Sequence, residues 1–158
     1  MLADLAPVKR QRLSELLAGY RQEKETLAAI ALQIDSGTTC RECAGQCCLN
    51  GKYRINVFDL LSHCAADLTV LPDFEQKPLC PYGTARGCVM EAGFRPSDCI
   101  LFICDALDRQ LPDSARFALS MTEKALRECL HTASRLLGVP LATPLLLWAE
   151  KNKIPINP

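Results

Sequence analysis

Ten cysteines in a chain of 158 residues constrain the fold more than any other feature of this sequence. Nine of the ten lie between positions 40 and 104. The chain length is that of one domain, and 49 % of the residues are hydrophobic, which is enough to build a packed core. The cysteines are therefore not needed as the disulfide staples of a miniature fold. We expect them to bind a metal or to carry redox chemistry.

The charge balance argues against several classes of partner. Lys and Arg together number 18, as do Asp and Glu, and the pI is about 6.7. Nucleic-acid-binding and polybasic membrane-surface proteins usually need a basic excess, so we expect neither a nucleic-acid nor a membrane partner. The sequence from Met1 to Arg10 lacks the apolar run of a signal peptide, and the most apolar stretch, Val139 to Ala149, is too short for a bilayer. We therefore expect a cytoplasmic protein, in which clustered cysteines more often bind metals than form disulfides.

The pattern along the chain predicts a single, mainly α-helical domain over residues 1–158. Residues 1–35 have the apolar spacing of one amphipathic helix. Residues 36–108 contain nine of the ten cysteines and six of the eight glycines, so we expect a loop-rich metal-binding region. Helical spacing returns in residues 109–158. The predicted architecture is a central cysteine cluster between an N-terminal helix and a C-terminal helical pair.

Capping signals predict where the helices begin and end. We expect helices at about Pro7 to Ile34, Val57 to Ala66, Cys99 to Leu107 after a Ser97 cap, Asp113 or Ser114 to Leu137, and Leu145 to Lys151. Asn56 and Asp59 have the spacing of a helix cap with an acidic third residue. Gly87 to Phe94 is consistent with a tight turn or a short hairpin. Gly138 is expected to end the long C-terminal helix.

Four cysteines open the central segment in the sequence Cys40-Arg-Glu-Cys43-Ala-Gly-Gln-Cys47-Cys48. Two cysteines separated by two residues can direct two thiolates at one ion, and this spacing is common in zinc and iron–sulfur sites. The adjacent Cys47 and Cys48 are expected to diverge. They would serve two separate centres, two irons of one cluster, or a vicinal disulfide.

A second set of four cysteines lies downstream, at Cys80, Cys88, Cys99 and Cys104. On a regular helix the five-residue step from Cys99 to Cys104 places the two on different faces. Either the helix is distorted there or the two address different centres. The eight cysteines suit two four-thiolate sites, or one cluster with additional structural thiols. We interpret the remaining two, Cys64 and Cys129, as core thiols.

The combined cysteine pattern resembles that of a bacterial cysteine-cluster family called YkgJ-like. The motifs that carry the resemblance are Cys40-x2-Cys43-x3-Cys47-Cys48, Cys80, Cys88 and Arg95-Pro96-x2-Cys99-x2-Phe102-x-Cys104. The resemblance covers about residues 36–108 and implies a zinc- or iron-chelating domain of ferredoxin-like character. A related cysteine cluster occurs in flagellin lysine N-methylase. Met90 and Ile100 depart from the family pattern, and neither departure removes a thiolate.

Thiolate ligands favour zinc or an iron–sulfur cluster over magnesium or calcium. We expect an iron–sulfur cluster, with zinc as the alternative, because the adjacent Cys47 and Cys48 are easier to place around several irons than around one zinc ion. The predicted metal ligands are Cys40, Cys43, Cys47, Cys48, Cys80, Cys88, Cys99 and Cys104. The nearby side chains expected to offset the thiolate charge are Arg41, Lys52, Arg86 and Arg95, and of these Arg95 is favoured because Pro96 fixes the chain beside it.

These patterns predict a metal-binding protein with a role in electron transfer or metal handling, acting with a protein or redox partner. One alternative is a structural zinc module whose helices contact a partner. Another is an enzyme or accessory protein related to flagellin lysine N-methylase. The sequence favours a protein without enzymatic activity, since it has no glycine-rich strand–turn–helix signature for a nucleotide-like cofactor and no Ser/His/Asp set.

Overall fold

The computed structural model describes residues 5–34, 36–44, 46, 49, 51, 54–68, 80, 82–84 and 87–153. This part of the chain is mainly α-helical, as the sequence predicts. Its α-helices are α1 (Pro7–Gln33), α2 (Ser36–Glu42), α3 (Val57–Ala65), α4 (Ser97–Leu101), α5 (Asp105–Asp108), α6 (Asp113–Leu137) and α7 (Leu145–Lys151). A short antiparallel pair, β1 (Gly83–Thr84) and β2 (Gly87–Cys88), and a 3₁₀-helix (Ala92–Phe94) lie between α3 and α4. None of the described helices is both long and apolar enough to cross a membrane.

The two long helices, α1 and α6, form the framework of the fold. The apolar positions that the spacing predicts for α1 are all buried: Leu13, Leu16, Leu17, Tyr20, Leu27, Ile30 and, just after the helix, Ile34. Most of them share one core cluster with Leu126 and Ala133 of α6. Helix α6 ends at Gly138 as predicted, because glycine adopts the left-handed conformation (φ +70°) in which its N–H reaches the Ser134 carbonyl.

Helix α3 is fixed between α1 and the C-terminal segment. The predicted cap is confirmed as a full capping box: Asn56 Oδ1 accepts the Asp59 N–H at 2.8 Å, and Asp59 Oδ2 accepts the Asn56 N–H at 3.2 Å. The Phe58 ring packs against Tyr20 of α1 with 4.6 Å between ring centroids. The segment before α7 is bonded to the start of α3, since Val57 donates its N–H to the Thr143 carbonyl.

The helix predicted from Cys99 to Leu107 is broken into two short helices. Helix α4 ends at Leu101, and α5 begins only at Asp105. Leu101 packs against the core shared by α1, α3 and α6, whereas Leu107 packs with Ile30 in a second cluster. Residues 102–104 are not helical, so Leu101 and Leu107 lie on separate helices.

The predicted turn or hairpin over Gly87 to Phe94 lies earlier in the chain than expected. The paired strands are β1 and β2, with Gly83 opposite Cys88. The residues after β2 form the 3₁₀-helix, which packs directly on α1. A Cβ at Gly93 would stand 2.9 Å from Glu25 Oε1, so glycine permits this close approach.

Candidate metal centre

Three of the predicted ligands, Cys80, Cys88 and Cys99, lie near one another, and two of them, Cys80 and Cys99, meet at Gly51. The Sγ atoms of Cys80 and Cys99 lie 3.1 and 3.9 Å from the point that a Cβ at residue 51 would occupy. Cys88 is held beside Cys80 by the hairpin, because Gly83 pairs with Cys88 and donates its N–H to the Cys80 carbonyl at 2.8 Å. All three thiols are close enough to influence one another electrostatically. We call Cys80, Cys88 and Cys99 the thiol site.

The thiol site is withdrawn from solvent. Cys80 is buried, and Cys88 and Cys99 are half-buried. Loss of water raises the pKa of Cys99 to about 12 and raises the pKa of Cys88 as well. As unligated thiols these two side chains therefore keep their protons at neutral pH, and a metal ion that binds here must displace them.

Two arginines bring positive charge to the thiol site. The Arg54 guanidinium lowers the pKa of Cys99, and the Arg95 guanidinium lowers the pKa of Cys88, each against the larger effect of burial. Each guanidinium is also held by the backbone. Arg95 Nε donates to the Met90 carbonyl at 2.9 Å, and Arg54 donates to the carbonyl of residue 98 at 3.2 Å. These side chains would balance thiolates formed at the site.

Arg95 is one of the counter-charges that the sequence predicts, whereas Arg54 was missed. Arg54 lies outside the cysteine motifs, and its approach to Cys99 depends on the packing of α4. The guanidinium carbon of Arg54 is 4.8 Å from the centroid of the half-exposed Phe102 ring, which follows α4. Phe102 is part of the predicted Cys99-x2-Phe102-x-Cys104 motif, so the contact explains one role for the aromatic residue there.

Cys40, Cys43 and Cys104 lie on elements that adjoin the thiol site. Cys40 is exposed in α2, Cys43 follows the end of that helix, and Cys104 immediately precedes α5. Helix α2 contacts both α5 and β2. The CxxC pair therefore lies on the side of the molecule that carries Cys104 and Cys88.

The predicted ligand set is described only in part. Cys47 and Cys48 lie outside the described residues, as do two of the predicted counter-charges, Lys52 and Arg86. In the described ranges, no group of three or more His, Cys, Asp or Glu side chains is arranged to hold a metal ion as it stands. A tetrahedral zinc ion with Zn–S bonds of about 2.3 Å would need its sulfurs about 4 Å apart.

The donor chemistry of the thiol site nevertheless fits a thiophilic metal. None of the eight described cysteines forms a disulfide. The absent Cβ at Gly51 leaves space into which the sulfurs of Cys80 and Cys99 project. Soft thiolate ligands select zinc, copper(I) or iron–sulfur centres over hard cations.

The two remaining cysteines differ from each other. Cys64 is exposed at the C-terminal end of α3, so the prediction that it is a core thiol is wrong. The buried face of α3 is formed earlier in the helix by residues such as Phe58 and Leu61. Cys129 is partly buried against the core, with its Sγ 3.8 Å from the Cβ position of Gly19, which agrees with the prediction.

A buried ion pair lies in the core beside the thiol site. Lys24 of α1 and Asp59 of α3 have fully buried side chains, and Lys24 Nζ is 3.1 Å from Asp59 Oδ1. The Tyr20 hydroxyl donates to the same carboxylate oxygen at 3.0 Å, and the Lys24 ammonium lies 4.4 Å from the centroid of the Tyr20 ring. In the sequence, Lys24 is one charged residue within the amphipathic helix predicted for residues 1–35. Its partner was not predictable from spacing, because Asp59 was already explained by helix capping.

Hydrogen bonds connect this ion pair to the segment that precedes α4. Lys24 Nζ donates to the Arg95 carbonyl at 2.7 Å. Asn56 Nδ2 donates to Ser97 Oγ at 3.3 Å. Lys24 and the Cys99 thiol also interact electrostatically. The core of the fold is thereby linked to α4, the helix that carries Cys99 of the thiol site.

No protein-family model, no curated protein and no solved structure matches this chain. The resemblance to the YkgJ-like family therefore stays a prediction from the cysteine pattern.

Proposed function

We propose that this protein binds a thiophilic metal centre, an iron–sulfur cluster, through its cysteine thiolates. The observation that carries the proposal is the meeting of the Cys80 and Cys99 sulfurs at Gly51, with Cys88 near enough to influence both electrostatically. The thiols of the hairpin region and of α4 approach one another, and no disulfide forms among the described cysteines. A metal centre gives such thiols a chemical partner that a packed core does not.

The surroundings of the thiol site support the same proposal. Burial raises the pKa of Cys99 and Cys88, so their thiolates become stable only when a cation replaces the proton. Arg54 and Arg95 then face negative charge, and hydrogen bonds and charges of this kind orient and tune thiolate ligands. A cytoplasmic location, which we propose from the cysteine usage, would keep the thiols reduced.

The distribution of cysteines favours an iron–sulfur cluster over a single zinc ion. Cys40 lies on α2 and Cys43 directly follows it, and α2 contacts β2, the strand that carries Cys88. Thiols spread over adjoining elements suit a multi-iron cluster better than the compact shell of one zinc ion. An iron–sulfur cluster would supply one-electron transfer, and electron transfer or metal handling with a protein partner is the role that we propose.

A structural zinc module is the second candidate. The electrostatic proximity of Cys80, Cys88 and Cys99 favours it, because three thiolates drawn onto one ion would need only one more to complete the closed four-cysteine shell of a structural zinc site. The zinc ion would then hold the hairpin and α4 together, and the helices would provide the partner surface.

Metal and sulfide analysis of protein purified without oxygen tests the proposal. We expect a coloured protein in which acid-labile sulfide accompanies iron, and a Cys99→Ser variant that loses at least half of both. Cys129→Ser is the matched control, because Cys129 is a half-buried thiol outside the thiol site, and it should keep the full metal content. A colourless protein with stoichiometric zinc would establish the second candidate. Wild-type protein without iron or zinc would contradict both.

A further inference from the structure

Lys24 carries a buried ammonium at a position where an apolar side chain would be enough to pack the helix. Its side chain and that of Asp59 are 0 % exposed. Two charges withdrawn from water gain little net stability over apolar side chains of the same size. What distinguishes Lys24 from an apolar residue is the set of groups to which it donates.

Lys24 and Asn56, which both contact Asp59, donate hydrogen bonds to the same short segment, residues 95–97. Lys24 Nζ donates to the Arg95 carbonyl at 2.7 Å, and Asn56 Nδ2 donates to Ser97 Oγ at 3.3 Å. Lys24 lies on α1, and Asn56 caps α3. Residues 95–97 are thus held from two separate helices of the core.

Residues 95–97 are connected to two parts of the thiol site, the Arg95 guanidinium and Cys99. Arg95 places its guanidinium beside Cys88 and is held there by its bond to the Met90 carbonyl. Ser97 is the first residue of α4, and Cys99 is the third. The Cys99 N–H donates to the Pro96 carbonyl at 2.9 Å, so its backbone follows that of the held segment.

We propose that Lys24 is a positioning residue for the thiol site, whose ammonium fixes the Arg95 carbonyl and thereby the orientation of Arg95 and of Cys99. In its consequence for metal binding, the inference rests on the proposed function of the site. The orientation of Cys99 is a property of the metal-free protein and can be measured without any metal.

The decisive variant is the double substitution Lys24→Met with Asp59→Asn. Lys24→Met alone leaves a buried carboxylate without its cation and risks unfolding. In the double variant no buried charge remains, and the amide oxygen at position 59 can still accept from Tyr20 or from the Asn56 N–H. The bond to the Arg95 carbonyl is absent.

The first measurement is the rate at which iodoacetamide alkylates each cysteine of the reduced, metal-free protein, followed by peptide mass spectrometry. Cys64 is exposed and serves as the internal reference. We expect the rate ratio of Cys99 to Cys64 to rise about tenfold in the double variant, the effect of losing one charge-assisted hydrogen bond. Leu126→Ala is the control: it creates a cavity in the α1–α6 core but removes no hydrogen-bonding group of the network, so the ratio should stay within twofold of the wild-type value.

The second measurement is a cobalt(II) titration, followed through the thiolate charge-transfer absorption. We expect the double variant to bind cobalt about tenfold more weakly than wild type. An unchanged alkylation ratio in the folded double variant would overturn the inference, as would an equal rise in Leu126→Ala. If wild-type protein binds no cobalt while the ratio still rises, the positioning role stands and the proposed metal function fails.

Discussion

The Sγ atom of Cys80 lies 3.1 Å from the point where a Cβ at Gly51 would stand. The same point is 3.3 Å from the Cys80 Cβ and 3.9 Å from the Cys99 Sγ. Contacts of 3.1 and 3.3 Å are tighter than ordinary van der Waals contact, so the thiol site depends on the absence of a side chain at residue 51.

We therefore expect Gly51→Ala to weaken cobalt or zinc binding by the thiol site about tenfold, because the new methyl group displaces the Cys80 sulfur at a cost of about 1–3 kcal/mol, as for other overpacked sites. A metal titration of the reduced protein measures the effect. Gly37→Ala is the matched control, since nothing lies within 4 Å of its Cβ position, and in α2 alanine should leave binding unchanged while stabilising the helix slightly. Equal binding by the two variants would show that the sulfurs do not act at Gly51.

The raised pKa of Cys99 predicts how the stability of the metal-free protein depends on pH. An unfolded cysteine has a pKa of about 8.5, whereas the folded value is about 12. The fold therefore retains a proton that the unfolded chain loses, and this stabilisation is complete below pH ~8.5 and is lost as the pH rises toward 12. Between pH 8 and 10 we expect the free energy of unfolding in urea to fall by about 1–2 kcal/mol from this group.

The Cys99→Ser variant isolates that contribution. Burial also raises the pKa of Cys88 and Cys129, so the wild-type protein loses further stability in alkali. The variant retains those effects and lacks only that of residue 99. Parallel pH profiles for wild type and variant would contradict the assignment.

Asp59 is expected to be far more important for stability than an exposed acidic residue. Asp59→Ala removes the capping-box acceptor and leaves Lys24 buried without its counter-ion, so we expect a loss of about 3–5 kcal/mol in urea unfolding. Glu15→Ala breaks the exposed ion pair with Arg12 at 3.0 Å and should cost less than about 1 kcal/mol. A similar loss for both variants would mean that the buried network contributes no more than a surface pair.

The helical framework was predictable because its signals are local. The apolar spacing of Leu13, Tyr20 and Leu27 is a pattern within one helix, and the stop signal at Gly138 lies directly after the helix that it ends. The structure confirms the extent of α1 and the end of α6. The prediction of one helix from Cys99 to Leu107, made from the same kind of local signal, was wrong. The segment forms two short helices whose residues pack in different clusters, and no local pattern in the sequence records that packing.

The grouping within the site was not predictable for a related reason. Spacing along the chain predicted cysteine ligands, but the association of Cys80 with Cys99 depends on how the hairpin and α4 dock near Gly51. Lys24 shows the limit most clearly. In the sequence it is a charged residue within an amphipathic helix. Only the packing of α1 against α3 brings it to Asp59, with which it forms an ion pair.

If the protein binds the metal centre that we propose, removal of the metal is expected to open the cysteine region without unfolding the helical framework. The 27-residue α1 and the 25-residue α6 pack through residues such as Leu13, Leu17 and Leu126, in a core cluster that does not include Cys80, Cys88 or Cys99.

After chelation under reducing conditions, the circular dichroism at 222 nm should therefore fall by less than about a fifth, because long helices keep their stability through tertiary packing of the apolar face. The alkylation rate of Cys80 and Cys99 should rise at the same time, since their sulfurs lose the bound ion. Leu126→Ala in the metal-loaded protein should show the opposite pattern, with a lower unfolding midpoint and protected cysteines. A collapse of the helical signal on chelation would instead mean that metal binding and folding of the whole chain are one event, as in small zinc domains.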